Sequence, residues 1–307
     1  MSAPLDDQAV APLPPGRESE TTSAAAELRA AFRQFDQRSR APLRQWAERA
    51  LTGRDQVKTL FYPFGGPDFC VPSDLFPRAQ TYVLVGREPA LVPSGAADPV
   101  DLSAALKHYL DHAYFITERL GRHLHGREHD GITPLLLAQI THSGGTPVSV
   151  SAIEGGIEIV FRTAARTQRI VYFAQDLRDE YVDTTAPLFR LLSESRFATL
   201  LKCASYLPHE PNFETLRHVI RSRASLLVQD PSGVPFATLN DWDWQIDLHG
   251  RYRGDIGVFS RYDQSALAAA SEAANGSPLG FGFGYLTDPQ RATLIVARPP
   301  QDSRGAE

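Results

Sequence analysis

The chain predicts a three-layer α/β domain: a mostly parallel sheet with helices on both faces, and an antiparallel hairpin at its C-terminal end. Three observations carry that expectation. Runs such as LFY at 60–62 and TYVLVG at 81–86 lack the polar alternation of a one-sided sheet, so they read as strands buried on both faces. Such runs alternate with helical segments, the pattern of parallel strands joined by crossovers. No proline- or glycine-rich linker divides the chain after its first two dozen residues.

The elements follow in order. Residues 1–23 set Pro4, Pro12, Pro14 and Pro15 among Asp6, Asp7, Glu18 and Glu20, too few apolar groups to fold against anything, which predicts a disordered tail. Residues 24–53 form a helical N-terminal extension. Its first helix, 24–38, is rich in strong formers. Its second, roughly 42–52, has Pro42 in the first turn and ends at Gly53. A single α/β domain occupies 54–299, and 300–307 is a second tail. The first two strands, 57–62 and 81–86, are separated by a segment with Pro67, Pro72 and Pro77, a spacing that prevents a full helix between them. Asp101 caps a helix to about Leu120, whose Leu102, Leu106, Tyr109, Leu110, Ala113 and Ile116 share one face. Thr133-Pro134 opens another helix to about Thr141.

Strands at 147–153, 157–163 and 169–174 come next, the last two as a hairpin. A short helix at 187–195, a strand at 198–204, a helix at 211–222 and a strand at 225–229 continue the alternation. Asp-Pro-Ser-Gly at 230–233 stops that strand. Residues 240–256 read as irregular. Within them, alternation over 241–248 predicts an extended stretch with Asp241, Asp243 and Gln245 on one face and Trp242, Trp244 and Ile246 on the other. A helix at 263–275 ends at Asn275-Gly276. FGFGYL (281–286) and ATLIVA (292–297) then pair across the polar link Thr287–Arg291 as the closing hairpin. The whole is Rossmann-like.

Composition bounds the function. Thirty-one Lys+Arg against 36 Asp+Glu give a net charge of −5 over 307 residues. That argues against broad nucleic-acid or anionic-membrane binding, which needs clustered positive charge. Two cysteines, Cys70 and Cys203, exclude a disulfide framework and a four-cysteine zinc site, and each reads as a small buried apolar residue. No basic start followed by an apolar run marks a signal peptide, and no 18-residue apolar stretch marks a membrane span. The expectation is a cytoplasmic protein, with an envelope location left open if a signal sequence was lost at the assigned start. The oligomeric state is not legible.

The block from 60 to 89 carries the most chemistry. A buried strand runs into Gly65-Gly66, and the next strand ends near Glu88, 22 positions after Gly66. Adjacent parallel strands end side by side, so a glycine bend after one and an acid after the other face a common crevice. Glycines there admit a ligand to the backbone, and the acid accepts hydrogen bonds from ribose hydroxyls. The candidate cofactor-binding residues are Gly65, Gly66, Asp68, Glu88 and Asp230. Asp176 follows a later strand toward the same crevice. Ser205 and Tyr206, which follow a later strand, and Asp241, Asp243 and His249, in a stretch whose rings and ionisable groups suit a pocket wall, are candidate substrate-binding residues. A tight structural turn at 65–67, a solvated strand end at Glu88 and loop-tying Arg–Asp pairs near 241–255 give the same sequence and remain open.

No metal ligand set is assigned. Five histidines fall within 108–129, including His108 and His112 at helical spacing, which admits a metal-dependent hydrolase using them with the 123–130 loop or the 241–249 acids. Metalloprotease helices carry Glu directly after the first His, where this chain has Tyr109. Ser205 and Ser232 lack a G-x-S-x-G context, and there is no Walker phosphate loop. Arg162, Arg166 and Arg169 read as a solvated cluster around a hairpin turn.

The YPFGGPDF and TYVLVGREP segments resemble an uncharacterised family of bacterial proteins, some described as lipoproteins. ASYLPHEPNF (204–213), VQDPSGVPF (228–236) and GRYRGDIGVF (250–259) fit the same resemblance, which spans roughly 57–298. It implies membership without an activity, and the lipoprotein descriptions imply an envelope setting. At the level of fold the chain also resembles class I S-adenosylmethionine-dependent methyltransferases. That resemblance implies S-adenosylmethionine as cofactor, Phe64-Gly65-Gly66-Pro67-Asp68 as the glycine loop and Glu88 as the ribose acid. The chain departs from that family's acid-x-Gly-x-Gly-x-Gly pattern in having only two adjacent glycines. The expected function is a small-molecule-binding protein, with group transfer as its enzymatic form. A non-catalytic envelope or interaction protein on a degenerate core is the alternative.

Overall fold

The computed structural model describes residues 17–93, 99–115, 131–254 and 257–300. Nine strands form one sheet: β1 (Thr59–Tyr62), β2 (Thr81–Gly86), β3 (Thr146–Ile153), β4 (Gly156–Arg162), β5 (Thr167–Ala174), β6 (Phe197–Leu201), β7 (Ala224–Gln229), β8 (Gln245–Gly250) and β9 (Thr293–Arg298). Their spatial order is β3-β4-β5-β2-β1-β6-β7-β9-β8. The centre, β5-β2-β1-β6-β7, is parallel throughout, and the pairs on either side are antiparallel. The α/β class read from the sequence is therefore the observed one. All six β2 residues and all five β6 residues are buried, as both-face burial of central parallel strands demands.

Two apolar layers flank the sheet, and the chain fills them in sequence order. Leu60, Tyr62, Tyr82 and Leu84 face helices α1 (Arg17–Phe35), α2 (Ala41–Ala50), α3 (Cys70–Leu75), α4 (Pro99–His112) and α5 (Thr133–His142). Phe61, Val83 and Val85, the alternate residues of the same strands, face α6 (Pro187–Ser193), α7 (Glu214–Arg223), α8 (Phe236–Asp241) and α9 (Ser265–Ala274). The N-terminal helices belong to the first layer: Phe32, Phe35, Leu43, Trp46 and Ala47 join its core. A π-helical turn, Asp36–Arg40, links α1 to α2 and delivers Arg40 to a buried pairing with Asp74. No described helix is long and apolar enough to cross a membrane.

Two sequence expectations are corrected. The closing strand does not pair with 281–286. It lies between β7 and β8, hydrogen-bonding both. The FGFG segment is unsuited to a strand, because Gly280 and Gly284 take φ of +82° and +65° and leave only a Phe283–Leu286 bridge. Residues 241–248 are not one extended stretch. α8 ends at Asp241, its last turn closed by hydrogen bonds from Trp242 to Thr238 and from Asp243 to Asn240, and the strand starts only at Gln245. Asp243, at φ +58°, makes the reversal between them. The proline-spaced segment after β1 holds only the six residues of α3, short of a full helix between the strands. The described part of the helix begun near Asp101 ends at His112, and 116–130 lies outside the described residues.

Candidate functional site

Counting only the parallel strands, the order is third, second, first, fourth, fifth, and the direction of winding reverses between β1 and β6. The loops after β1 and β6 leave toward opposite faces there, opening a crevice beyond the strand ends. A cavity of about 850 Å³ lies at that place. Tyr62, Phe64, Gly65, Gly66 and Asp68 enter it after β1, Gly86, Arg87 and Glu88 after β2, Asp176 and Arg178 after β5, and Lys202, Cys203 and Ser205 after β6.

The glycine bend is held against the end of β2. Gly66 N–H donates to Val85 O at 3.2 Å, and Gly66 takes φ +53°. Gly86 lies directly beneath: a Cβ there would stand 2.9 Å from Gly66 Cα and 2.8 Å from Glu88 Oε2. Only glycine at 86 allows the two loops this approach. Glu88 is 8% exposed. Its Oε2 accepts the Arg87 N–H at 3.1 Å, and Tyr172 Oη donates to Glu88 O at 3.0 Å.

The floor is a buried ion pair, Lys202 with Asp68 at 2.9 Å, each side chain 2% exposed. Lys202 also donates to Ala113 O. Asp68 accepts further bonds from Tyr109 Oη at 2.8 Å, Tyr62 Oη at 3.2 Å and Val71 N–H at 3.3 Å. Burial works against the Lys202 charge, but the adjacent Asp68 carboxylate outweighs it and holds the ammonium above its ordinary range. Burial, reinforced by the same carboxylate, pushes the Tyr62 and Tyr109 hydroxyls well up, so both remain donors. The pair ties three loops together: 65–68, 113–115 and 202–205.

Backbone strain concentrates here. Phe64, Cys203 and Ser205 line the cavity in the left-handed region at φ +66°, +55° and +52°, and the adjacent Ala113 and Tyr206 join them at +64° and +56°. The other described non-glycine residues in that region, Asp243 and Asn275, end helices, as Ala113 ends α4. Left-handed conformations at non-glycine residues cost of order 1 kcal/mol or more each and cluster at functional sites.

The sequence-nominated residues divide in two. Gly65, Gly66, Asp68, Glu88, Asp176 and Ser205 share the cavity. Asp230, Tyr206, Asp241, Asp243 and His249 do not line it. Asp230 stands behind the 203–205 loop, accepting bonds from Cys203 N–H at 3.2 Å and Ser232 N–H at 3.0 Å, and burial pushes its carboxyl up. Tyr206 is 1% exposed and stacks on Tyr262 with centroids 4.8 Å apart. Asp241 and Asp243 are exposed at the end of α8, and His249 packs edge-on against Trp46 from β8.

Lys202, Tyr114 and Tyr285 are cavity residues that sequence reasoning missed. Lys202 left a signal, a lone cation closing the apolar run ATLLKCA. His108 and His112 stack with ring centroids 4.3 Å apart, while His123, His125 and His129 lie outside the described residues. Among the described residues no three His, Cys, Asp or Glu side chains gather as a metal site. Arg166 donates to Arg78 O, and Arg169 binds Glu158 and Thr81. No protein-family model, no curated protein and no solved structure matches the chain.

Proposed function

We propose that the chain is a small-molecule-binding, Rossmann-like protein whose crevice takes an adenosyl-type ligand such as S-adenosylmethionine and serves a group-transfer reaction. One observation carries this reading: the Gly65-Gly66 bend and the Glu88 carboxylate open onto the same cavity at the reversal point of the sheet. A carboxylate there accepts hydrogen bonds from vicinal ribose hydroxyls, and the bend lets the ligand reach the backbone. The antiparallel β9 and β8 pair beyond β7, joined through α9 rather than by a tight turn, supports the methyltransferase resemblance only as an antiparallel sheet end.

The amides at the start of α3 favour a ligand without phosphate. Phe69 and Cys70 N–H both donate to Gln139 Oε1, at 2.9 and 3.1 Å, and Val71 N–H donates to Asp68. A dinucleotide would need such donors for its pyrophosphate. Calorimetric titration tests the reading. S-adenosylmethionine is expected to bind and NAD is not, with Glu88→Gln weakening the former about tenfold, the worth of one hydrogen bond to a charged acceptor. No heat at millimolar S-adenosylmethionine, with Glu88→Gln indistinguishable from the parent, overturns it.

A second reading, a non-catalytic interaction protein on the same core, draws support from Phe64. A phenylalanine stands at φ +66° in the bend where glycine would let a ligand closer. Absence of any nucleoside binding would favour it. The metal-dependent hydrolase has no ligand cluster among the described residues in its support, and elemental analysis of purified protein tests it.

A further inference from the structure

The cavity has two unlike halves. Arg87, Glu88, Asp176 and Arg178 stand on the β2–β5 side, while Asp68 and Lys202 neutralise each other in the floor. The opposite side, beyond β6, is aromatic: Tyr114, Phe115, Phe213, Phe259 and Tyr285 line it, with Leu207. Tyr114 and Phe259 each contact the Tyr285 ring, at centroid distances of 5.3 and 5.1 Å, so three rings make one continuous wall. Among the described residues, no charged side chain other than the floor pair lines this half.

Its polar handle can be assigned proton by proton. Tyr285 Oη gives its single proton to Cys203 O at 3.0 Å and accepts the Ser205 N–H at 3.1 Å. Ser205 Oγ lies 2.9 Å from the same phenolic oxygen, whose proton is already committed, so the serine hydroxyl is the donor in that contact. Burial, with the Cys203 sulfur nearby, pushes the Tyr285 hydroxyl well above its ordinary value, so the arrangement holds across the physiological range. Ser205 Oγ is thus left with lone pairs and no proton. Ser205 is exposed and lines the cavity, so those lone pairs are available to an incoming donor.

We propose that this half binds the group-accepting substrate, and that the substrate is a neutral aromatic molecule carrying an O–H or N–H, a phenol or an N–H heteroaromatic. The inference rests on the adenosyl reading for the other half. The ring wall selects a flat apolar body, the lack of unpaired charge selects neutrality, and Ser205 Oγ selects a hydrogen-bond donor.

Catechol, 1,2-dimethoxybenzene and cyclohexanol, titrated calorimetrically into the full chain, separate these features. Catechol is expected to bind, dimethoxybenzene about tenfold more weakly for want of a donor, and cyclohexanol not measurably. Ser205→Ala removes the catechol preference and leaves dimethoxybenzene unchanged. Tyr285→Phe keeps the ring but frees the serine proton to donate, so dimethoxybenzene gains on catechol, which simple loosening of the loop would not produce. Equal binding of catechol and dimethoxybenzene overturns the donor requirement, and cyclohexanol matching catechol overturns the aromatic wall. A parallel titration with S-adenosylhomocysteine tells the two readings apart. Catechol failing while the nucleoside binds defeats this inference alone, and the nucleoside failing while catechol binds defeats only the adenosyl reading.

Discussion

The two ends of the central sheet are built on different terms. At the N-terminal ends of β2 and β5 lies a second cavity, of about 480 Å³. There Arg40 binds Asp74 through two hydrogen bonds, at 2.6 and 2.9 Å, and Arg44 adds a third at 3.1 Å. No non-glycine residue lining that cavity has a left-handed backbone. The C-terminal cavity also rests on a buried ion pair, but three of its lining residues are strained. Ion pairs alone therefore do not set the candidate-site end apart from the other. The strain does: a π-helical turn and the short helix α3 deliver Arg40 and Asp74 on right-handed backbone, whereas aiming Phe64, Cys203 and Ser205 into a crevice spends folding stability that packing alone would not require.

The largest effect is expected at the Arg40–Asp74 end. Asp74→Ala leaves the buried Arg40 with only the partly exposed Asp36 carboxylate at 3.2 Å and should cost about 3–5 kcal/mol in urea unfolding, with ligand affinity of the folded protein unchanged. A loss of affinity there would break the contrast between the ends. Lys202→Met should cost somewhat less, about 3 kcal/mol. Tyr62, Tyr109 and Val71 still satisfy Asp68. Unlike Asp74→Ala, it should also weaken nucleoside binding, since the pair joins the 65–68 and 202–205 loops.

The next effect concerns acid. Burial holds the His209 imidazole down to about 4 against its ordinary 6.5. Between those values the unfolded chain takes a proton that the folded chain refuses. The contribution is therefore complete above about pH 6.5 and is lost as pH falls toward 4, roughly 2–3 kcal/mol across the window. His209→Gln should flatten that part of a stability–pH profile. An unchanged slope would move the acid sensitivity away from the loop after β6. The smallest expected effect on stability is that of Glu88→Gln, within about 1 kcal/mol, because only Oε2 accepts a bond from the backbone. Its consequence belongs to ligand affinity.

Legibility followed the range of each interaction. β2, with bounds 81–86, stands as read, because six consecutive apolar or small residues between turn signals admit little else. The nearness of Gly66 and Glu88 was legible too, since it needs only two consecutive strands to lie parallel and adjacent. Asp230 was nominated from its place after a strand, and Asp241, Asp243 and His249 from a stretch read as extended; the fold instead turned them behind the loop, outward, or toward Trp46.

By itself the sequence determined the α/β class, most strand and helix positions, and the glycine bend facing an acid, because each of these depends on periodicity or on neighbours within some 25 residues. Only the tertiary structure decided that β9 inserts between β7 and β8, that Lys202 meets Asp68 across 134 positions, and that Tyr285 closes on Ser205. Those contacts form between segments whose separation along the chain leaves no local trace. They are selected by which strand edge, which buried charge and which unfilled acceptor the rest of the fold leaves to be satisfied.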